Sequence, residues 1–265
     1  MTKWAYFGHH KCATNYIARI VSAVCDYHNV KHAKFHNWLL FNAEHRPLAF
    51  LYGRDFFQNA QANDIEFVLY TDADPAFRKN ITINRGFHVI RDPRDIIVSA
   101  YFSHLYSHSV EHFPILREHR EELKNLSLDT GLLAVMDFVS PLMRDLLQWD
   151  YDDPSIYEVK LEDLIINPEI VFVEIFRFLN LLGETEESEF IASENQIKKI
   201  VDGFRFEKLS KGRKRGEEDL TSHYRKGISG DWHNYFKEQH ILRCKELYND
   251  LIVQLCYETT LDWTN

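Results

Sequence analysis

A lysine and a threonine follow the first apolar run of the chain in a pattern that suits anion binding. Lys11 stands in the loop after the run 4–7, and Thr14 opens a segment whose apolar residues have helical spacing. The backbone N–H groups at a helix start have no intrahelical partners, and the helix dipole is positive there. Together with the Lys11 charge and the Thr14 hydroxyl, this predicts a site for a phosphate-like group.

Two further segments combine cations with groups that suit a ligand. Arg91 ends another apolar run, and Ser99 follows within the next helical segment, so the pair could hold a second phosphate. Arg225 and Lys226 are followed by Gly227, where the backbone can come close to a ligand. Two alternatives stay open: Arg91 could pair with a neighbouring aspartate, and residues 225–227 could form a solvated basic loop.

Short apolar runs alternate with longer helical or polar segments, which predicts an α/β fold with a central parallel sheet flanked by helices. Ligands of such sheets bind beyond the carboxyl ends of the strands. Lys11, Asp72 and Arg91 each follow a run directly, so we expect them to line one crevice. The predicted strands cover 4–7, 48–52, 65–71, 86–90 and 156–161, and residues 31–38 are predicted as a loop or a short strand.

Helical spacing begins again at Asp95 and continues in four later segments. These predicted helices cover 130–149, 169–182, 193–201 and 234–256. The charged, glycine-containing segment 208–230 is predicted to be a long mobile loop. Because no linker or repeat divides the chain, we expect a single domain over residues 1–265.

Composition limits the partners. The formal net charge of -9 argues against a general nucleic-acid binder. The four cysteines are scattered without a CxxC pair, which indicates neither a zinc site nor a disulfide scaffold. With no signal peptide and no apolar run of membrane-spanning length, we expect a cytoplasmic protein. The oligomeric state stays open.

Taken together, the three segments resemble the motifs of sulfotransferases that use 3′-phosphoadenosine-5′-phosphosulfate (PAPS). The first family motif, K-x-G-T-[TS]-W, is similar to K-C-A-T-N-Y at 11–16. The second, an Arg followed eight residues later by a Ser, is similar to Arg91 and Ser99, and the third, R-K-G-x-x-G-D-W, is intact at 225–232. The resemblance spans nearly the whole chain in the right order, and it implies a P-loop nucleoside triphosphate hydrolase-like sulfotransferase fold.

The resemblance implies sulfuryl transfer from PAPS to a hydroxyl or amine of a small-molecule, lipid or sugar acceptor. The products would include adenosine 3′,5′-bisphosphate (PAP), and no metal is required. The first motif would hold the 5′-phosphosulfate with Tyr16 near the adenine, the other two motifs would hold the 3′-phosphate, and Phe206 would stack on the adenine. The implied binding residues are His10, Lys11, Cys12, Ala13, Thr14, Asn15, Tyr16, Arg91, Ser99, Phe206, Arg225, Lys226 and Gly227.

The expected catalytic residues are Lys11 and Asp72. Lys11 would neutralise the bridging oxygen as it leaves, and a base would take the proton of the acceptor. Asp72 stands after the third strand, where many family members carry a His. A turn residue at a strand end is the alternative for Asp72. The other candidate bases are His10, His36, Asp55 and Asp74.

Other functions also stay open. His104, His108 and His112 would share one face of a continuous helix and could hold Zn²⁺, although exposed histidines fit the sequence equally well. The segment 67–72 resembles a Walker B strand, which leaves a P-loop kinase or NTPase open although the G-x-x-x-x-G-K-[ST] signature is missing. The absent His leaves a non-catalytic adenosine-bisphosphate-binding module open.

Overall fold

The sheet is parallel throughout, in a computed structural model that describes residues 2–36, 64–79, 81–111, 114–183 and 193–264. Its strands are β1 Trp4–Gly8, β2 His32–His36, β3 Phe67–Thr71, β4 Arg85–Ile90 and β5 Ile156–Lys160. They pair in the order β2–β3–β1–β4–β5, so β1 lies at the centre. The predicted α/β fold with a central parallel sheet is confirmed.

Helices connect the strands and cover both faces of the sheet. They are α1 Thr14–Tyr27, α2 Pro75–Arg78, α3 Pro93–Phe102, α4 Pro114–Lys124, α5 Leu128–Leu147, α6 Leu161–Ile166, α7 Pro168–Phe178, α8 Glu194–Gly203, α9 Phe206–Leu209 and α10 Glu238–Gln254. A π-helical turn, Ser103–Ser107, extends α3, and a 3₁₀ turn, Asp231–Asn234, precedes α10. None of the described helices combines the length and apolar character that crossing a bilayer needs.

The central strands are apolar throughout because both of their faces are covered. In β1, Trp4 and Tyr6 pack with α1 and α7, whereas Ala5 and Phe7 pack with Trp149 on the opposite face. A third cluster joins α3, α5 and α10 beside the sheet. Burial on both faces is why β1 is a continuous apolar run without polar alternation.

Local signals fix several helix starts. The Asp92 side chain accepts a hydrogen bond from the amide of Arg94, and Pro93 occupies the first position of α3. Ser193 and Gln196 form a capping box at α8. Several predicted boundaries differ from these elements: α7 ends at Phe178 rather than at residue 182, residue 161 begins α6 rather than ending β5, and the predicted strand 48–52 lies outside the described residues.

Candidate active site

A cavity of about 410 Å³ lies at the carboxyl ends of the central strands. Lys11 reaches it after β1, Asp72 after β3 and Arg91 after β4. These three strands are neighbours in the sheet, so residues far apart in sequence meet at one edge. With the exception of Cys12, every residue that the resemblance implies for cofactor binding lines this cavity: His10, Lys11, Ala13, Thr14, Asn15, Tyr16, Arg91, Ser99, Phe206, Arg225, Lys226 and Gly227.

Cys12 is placed differently from the expectation. Its side chain is fully buried and packs with the cluster around α3 and α5. Its backbone amide donates a hydrogen bond to the carbonyl of His9 at 3.1 Å. The thiol therefore belongs to the core, and burial raises its pKa to about 12.

The first loop has an unusual backbone that leaves the start of α1 open. Lys11 and Ala13 have φ values of 63° and 55°, in the left-handed region that favours glycine. A guanidinium N–H of Arg91 donates to the Lys11 carbonyl at 3.0 Å and so ties the loop to β4. Because alanine has no side-chain acceptor, Ala13 at the N-cap cannot bond to the amides of the first turn. Those amides can serve a ligand instead.

Positive charge accumulates at this loop. Burial, together with repulsion from Arg91 and Arg225, lowers the pKa of Lys11 to about 7. The Nε of Arg91 is buried and has no hydrogen-bond partner within the described part of the chain. This arrangement suits an anionic ligand. The ligand would reduce the repulsion between the cations, and it would accept a hydrogen bond from the unpartnered N–H of Arg91.

Part of the third segment is already paired. Arg225 bonds to Asp231 at 2.5 Å and also to Glu218, and Lys226 bonds to Asp231 at 2.6 Å. Asp231 is 1% exposed, so its carboxylate holds both cations at one wall of the cavity. The pairing fixes where the two cations stand, and it also means that a bound phosphate would share them with Asp231.

Asp72 also lines the cavity, and its carboxylate opposes the lowering of the Lys11 pKa. Burial raises the pKa of Asp72 to about 7, with a further contribution from Asp145 that Lys11 partly opposes. A carboxyl group with a pKa near neutrality suits general acid–base work. Asp74 is not in the cavity lining, and the Tyr70 hydroxyl donates to it at 3.2 Å. Among the other candidate bases, His10 lines the cavity, whereas Asp55 and the His36 side chain lie outside the description.

Gly227 meets the ring of Phe206, the residue expected to stack on the adenine. Gly227 has a φ of 67°, and a Cβ at this position would lie 2.5 Å from ring carbons of Phe206. Only glycine combines this backbone with such a close approach. The third motif and the Phe206 ring therefore form one packed unit.

Gly227→Ala is expected to displace the Phe206 ring and to weaken PAP binding by about tenfold or more, because stacking on one base contributes roughly 1–3 kcal/mol. Titration calorimetry with PAP would measure the loss. Gly216→Ala is the matched control: Gly216 also has positive φ, at 91°, but a Cβ there would meet nothing within 4 Å. Equal affinities for the two variants would contradict the role of the Gly227–Phe206 contact.

The segment 208–230, expected to be a mobile loop, is tied together by the Arg213 side chain. The Arg213 guanidinium donates to the carbonyls of Glu217, Tyr224 and Arg225 at 2.9, 2.6 and 2.8 Å. Asp95 in α3 accepts from the amides of residues 230 and 232 at 2.7 and 3.0 Å. These bonds position the third motif, and the sequence carries no local signal for them because the partners are distant or irregular.

Further residues of the cavity lining were also missed. His223 bonds to the side chain of Asn15 at 3.0 Å between Nε2 and Nδ2, and so joins the first loop to the segment before Arg225. The sequence signal for His223 and Tyr224 is their position just before the third motif, and they match no family pattern. The polar lining residues to which the resemblance gave no role are Thr71, His108, Arg215, His223 and Tyr224.

The described part of the histidine row does not lie on one regular α-helix. Helix α3 ends at Phe102, and His104 lies in the π-helical turn that follows, which ends at Ser107. The rings of His104 and His108 are still neighbours, with centroids 6.3 Å apart. His104 is fully buried, His108 lines the cavity, and His112 lies outside the described residues. Within the described ranges, no three His, Cys, Asp or Glu side chains are placed to hold a metal ion.

Comparisons with known proteins agree with this architecture. A mouse sulfotransferase, SULT7A1, solved in complex with PAP, is 14% identical with a TM-score of 0.62, and the match covers 94% of this chain and 84% of that one. A retinol dehydratase, solved with androsterone and the inactive cofactor PAP, is 16% identical with a TM-score of 0.53, over 94% and 80%. At these identities the likeness concerns the fold.

A search of curated proteins by sequence found no match. The model of the sulfotransferase domain family, in contrast, matches residues 7–259, which include the end of β1, the first loop, Arg91 and the third motif. A match over this length leaves little of the chain outside the domain. The chain therefore belongs to the sulfotransferase domain family.

Proposed function

We propose that the chain transfers a sulfuryl group from PAPS to a hydroxyl or amine of a small-molecule, lipid or sugar acceptor. The observation that carries the proposal is the convergence of Lys11, Arg91 and Arg225 on one cavity at the carboxyl ends of the strands. Because the protein as a whole has a net charge of -9, three cations in one cavity indicate a local anion-binding site. Their number suits a ligand that carries more than one anionic group.

The lining residues divide between the two ends of a doubly phosphorylated adenosine. The open helix start at Thr14, together with Lys11, suits the 5′ end, and the cations of the second and third segments suit the 3′-phosphate. Tyr16 and Phe206 offer aromatic faces to the base. PAPS, when bound, supplies the activated sulfuryl group.

Two residues would handle charge and protons. Lys11 in its protonated form stabilises negative charge on the oxygen that leaves with the nucleotide. Asp72 in its ionised form accepts the proton of the acceptor, and its pKa near 7 makes that form available at neutral pH. Such catalysis by positioning and charge is analogous to phosphoryl transfer.

PAP is expected to raise the melting temperature without magnesium. At a concentration of about 100 Kd the stabilisation is roughly 2.7 kcal/mol, which corresponds to about 5–10 °C for a chain of this size. Differential scanning fluorimetry would measure the shift, and Arg91→Ala should reduce it because the variant removes one cation of the cavity. A shift that appears only with ATP and magnesium would favour the kinase or NTPase reading.

Activity is tested by transfer of radiolabelled sulfate from PAPS to a cell extract, followed by a panel of alcohols, phenols, sugars and amines. Wild type should label at least one acceptor, and Lys11→Ala should label none. Binding of PAP without transfer to any acceptor would favour a non-catalytic nucleotide-binding module.

A further inference from the structure

Two imidazoles meet beside Lys11. Nε2 of His10, which lines the cavity, lies 2.9 Å from Nε2 of His104, which is fully buried. A separation of 2.9 Å between two ring nitrogens is a hydrogen bond, so one of the two atoms carries a hydrogen and the other offers a lone pair. Burial and the nearby Lys11 hold the pKa of both rings well below the usual range, so both are neutral at pH 7.

The other nitrogen of His104 decides the direction of this hydrogen bond. Nδ1 of His104 is buried and has no hydrogen-bond partner in the described ranges. If His10 donated, His104 would carry its hydrogen on Nδ1 and bury an N–H without an acceptor, the more costly arrangement. If His104 donates from Nε2, its Nδ1 is only an unused acceptor. The hydrogen of His10 then resides on Nδ1.

The ring of His104 is held in place by its surroundings. It lies in the π-helical turn, and the Arg120 guanidinium donates at 2.5 Å both to the carbonyl of residue 104 and to that of residue 108, which follows the turn. The ring packs edge-on against Phe138 and His119, with centroids at 5.3 and 5.6 Å. A π-helical turn that is stabilised in this way can fix one side chain at a functional site.

We propose that His104 is a positioning residue that keeps His10 in the Nδ1–H tautomer, so that His10 is a neutral hydrogen-bond donor to an anionic oxygen bound beside Lys11. The Nε2 lone pair of His10 is occupied by His104, and Nδ1 already holds a hydrogen. His10 therefore cannot accept the proton of an acceptor, which removes one of the rivals to Asp72 as the base. The role in sulfuryl transfer rests on the proposed function, whereas the tautomer does not.

The tautomer can be read in the protein without ligand. Long-range ¹H–¹⁵N correlation spectra of the full chain, labelled with ¹⁵N-histidine, distinguish protonated from unprotonated ring nitrogens at pH 7.5, with His10→Gln and His104→Gln spectra for assignment. We expect His10 protonated on Nδ1 and His104 protonated on Nε2. A His10 ring protonated on Nε2, or on both nitrogens, would overturn the proposal whatever the chain catalyses.

Kinetics test what the tautomer does. His104→Leu removes the donor and should release His10 to the other tautomer, with kcat lower by about tenfold, the effect of one hydrogen bond, and a smaller change in KM for PAPS. His104→Gln keeps an N–H donor and should retain the wild-type kcat. Equal kcat for His104→Leu and wild type, with the melting temperature preserved, would overturn the positioning role, and a His10 that keeps Nδ1–H in His104→Leu would do the same.

Discussion

Asp72→Asn is expected to lower kcat by about 10²- to 10⁴-fold, the usual contribution of a general base. The amide has the shape of the carboxylate but cannot take up the proton of the acceptor. Asp72 directly follows β3 with φ of 55°, a conformation that asparagine tolerates well, so the fold should be retained. Steady-state kcat and the affinity for PAP would be measured side by side, and the affinity should change little.

The pH dependence follows from the raised pKa of Asp72, which is about 7. Only the ionised form is a base, so kcat/KM for the acceptor should rise with pH up to about 7 and then level off. Asp145 contributes to the raised pKa of Asp72. Asp145→Asn should therefore move this acid limb to lower pH, because it removes a like charge.

Asp74→Asn is the matched control, since Asp74 stands two positions away, outside the cavity lining, with the Tyr70 hydroxyl bonded to it. It should keep nearly the wild-type kcat. A large loss in Asp74→Asn together with an active Asp72→Asn would reverse the assignment of the base.

The part of the site that sequence could predict is the part made by strand ends. Lys11, Asp72 and Arg91 each follow an apolar run, and in a parallel sheet the carboxyl ends of adjacent strands share one edge. That rule needs only the order of the runs and a parallel sheet. It therefore succeeded although the exact end of β5 was missed by one residue.

The remaining features depend on contacts that no local pattern encodes. Cys12 shares the first loop with Lys11, but the left-handed φ of Lys11 turns the chain so that the thiol enters the core. Arg213 was one cation in a basic stretch, and its bonds to three loop carbonyls appear only in three dimensions. The π-helical turn at His104 likewise interrupts the regular helix on which the three histidines would have shared a face.

Lys11→Met is expected to lower kcat by about 10²- to 10³-fold, the usual effect of removing one group that stabilises charge in the transition state. It should also remove a proton uptake that accompanies PAP binding in wild type. Because the pKa of Lys11 in the free protein is about 7, only roughly a tenth of the lysines are protonated at pH 8. A bound anion raises that pKa, so each binding event should take up about one proton.

Titration calorimetry at pH 8 in buffers with different ionisation enthalpies counts these protons. At that pH the phosphates of PAP are themselves fully ionised, since their second pKa is about 6. The lowered pKa of Lys11 also sets the direction in which PAP affinity changes with pH. As pH rises above 7, neutral Lys11 accumulates, and PAP binding therefore weakens. Lys11→Arg keeps the charge at all pH values, so its binding should show neither the uptake nor the pH dependence. Asp72→Asn should retain the uptake, and an unchanged uptake in Lys11→Met would place the titrating group elsewhere in the cavity.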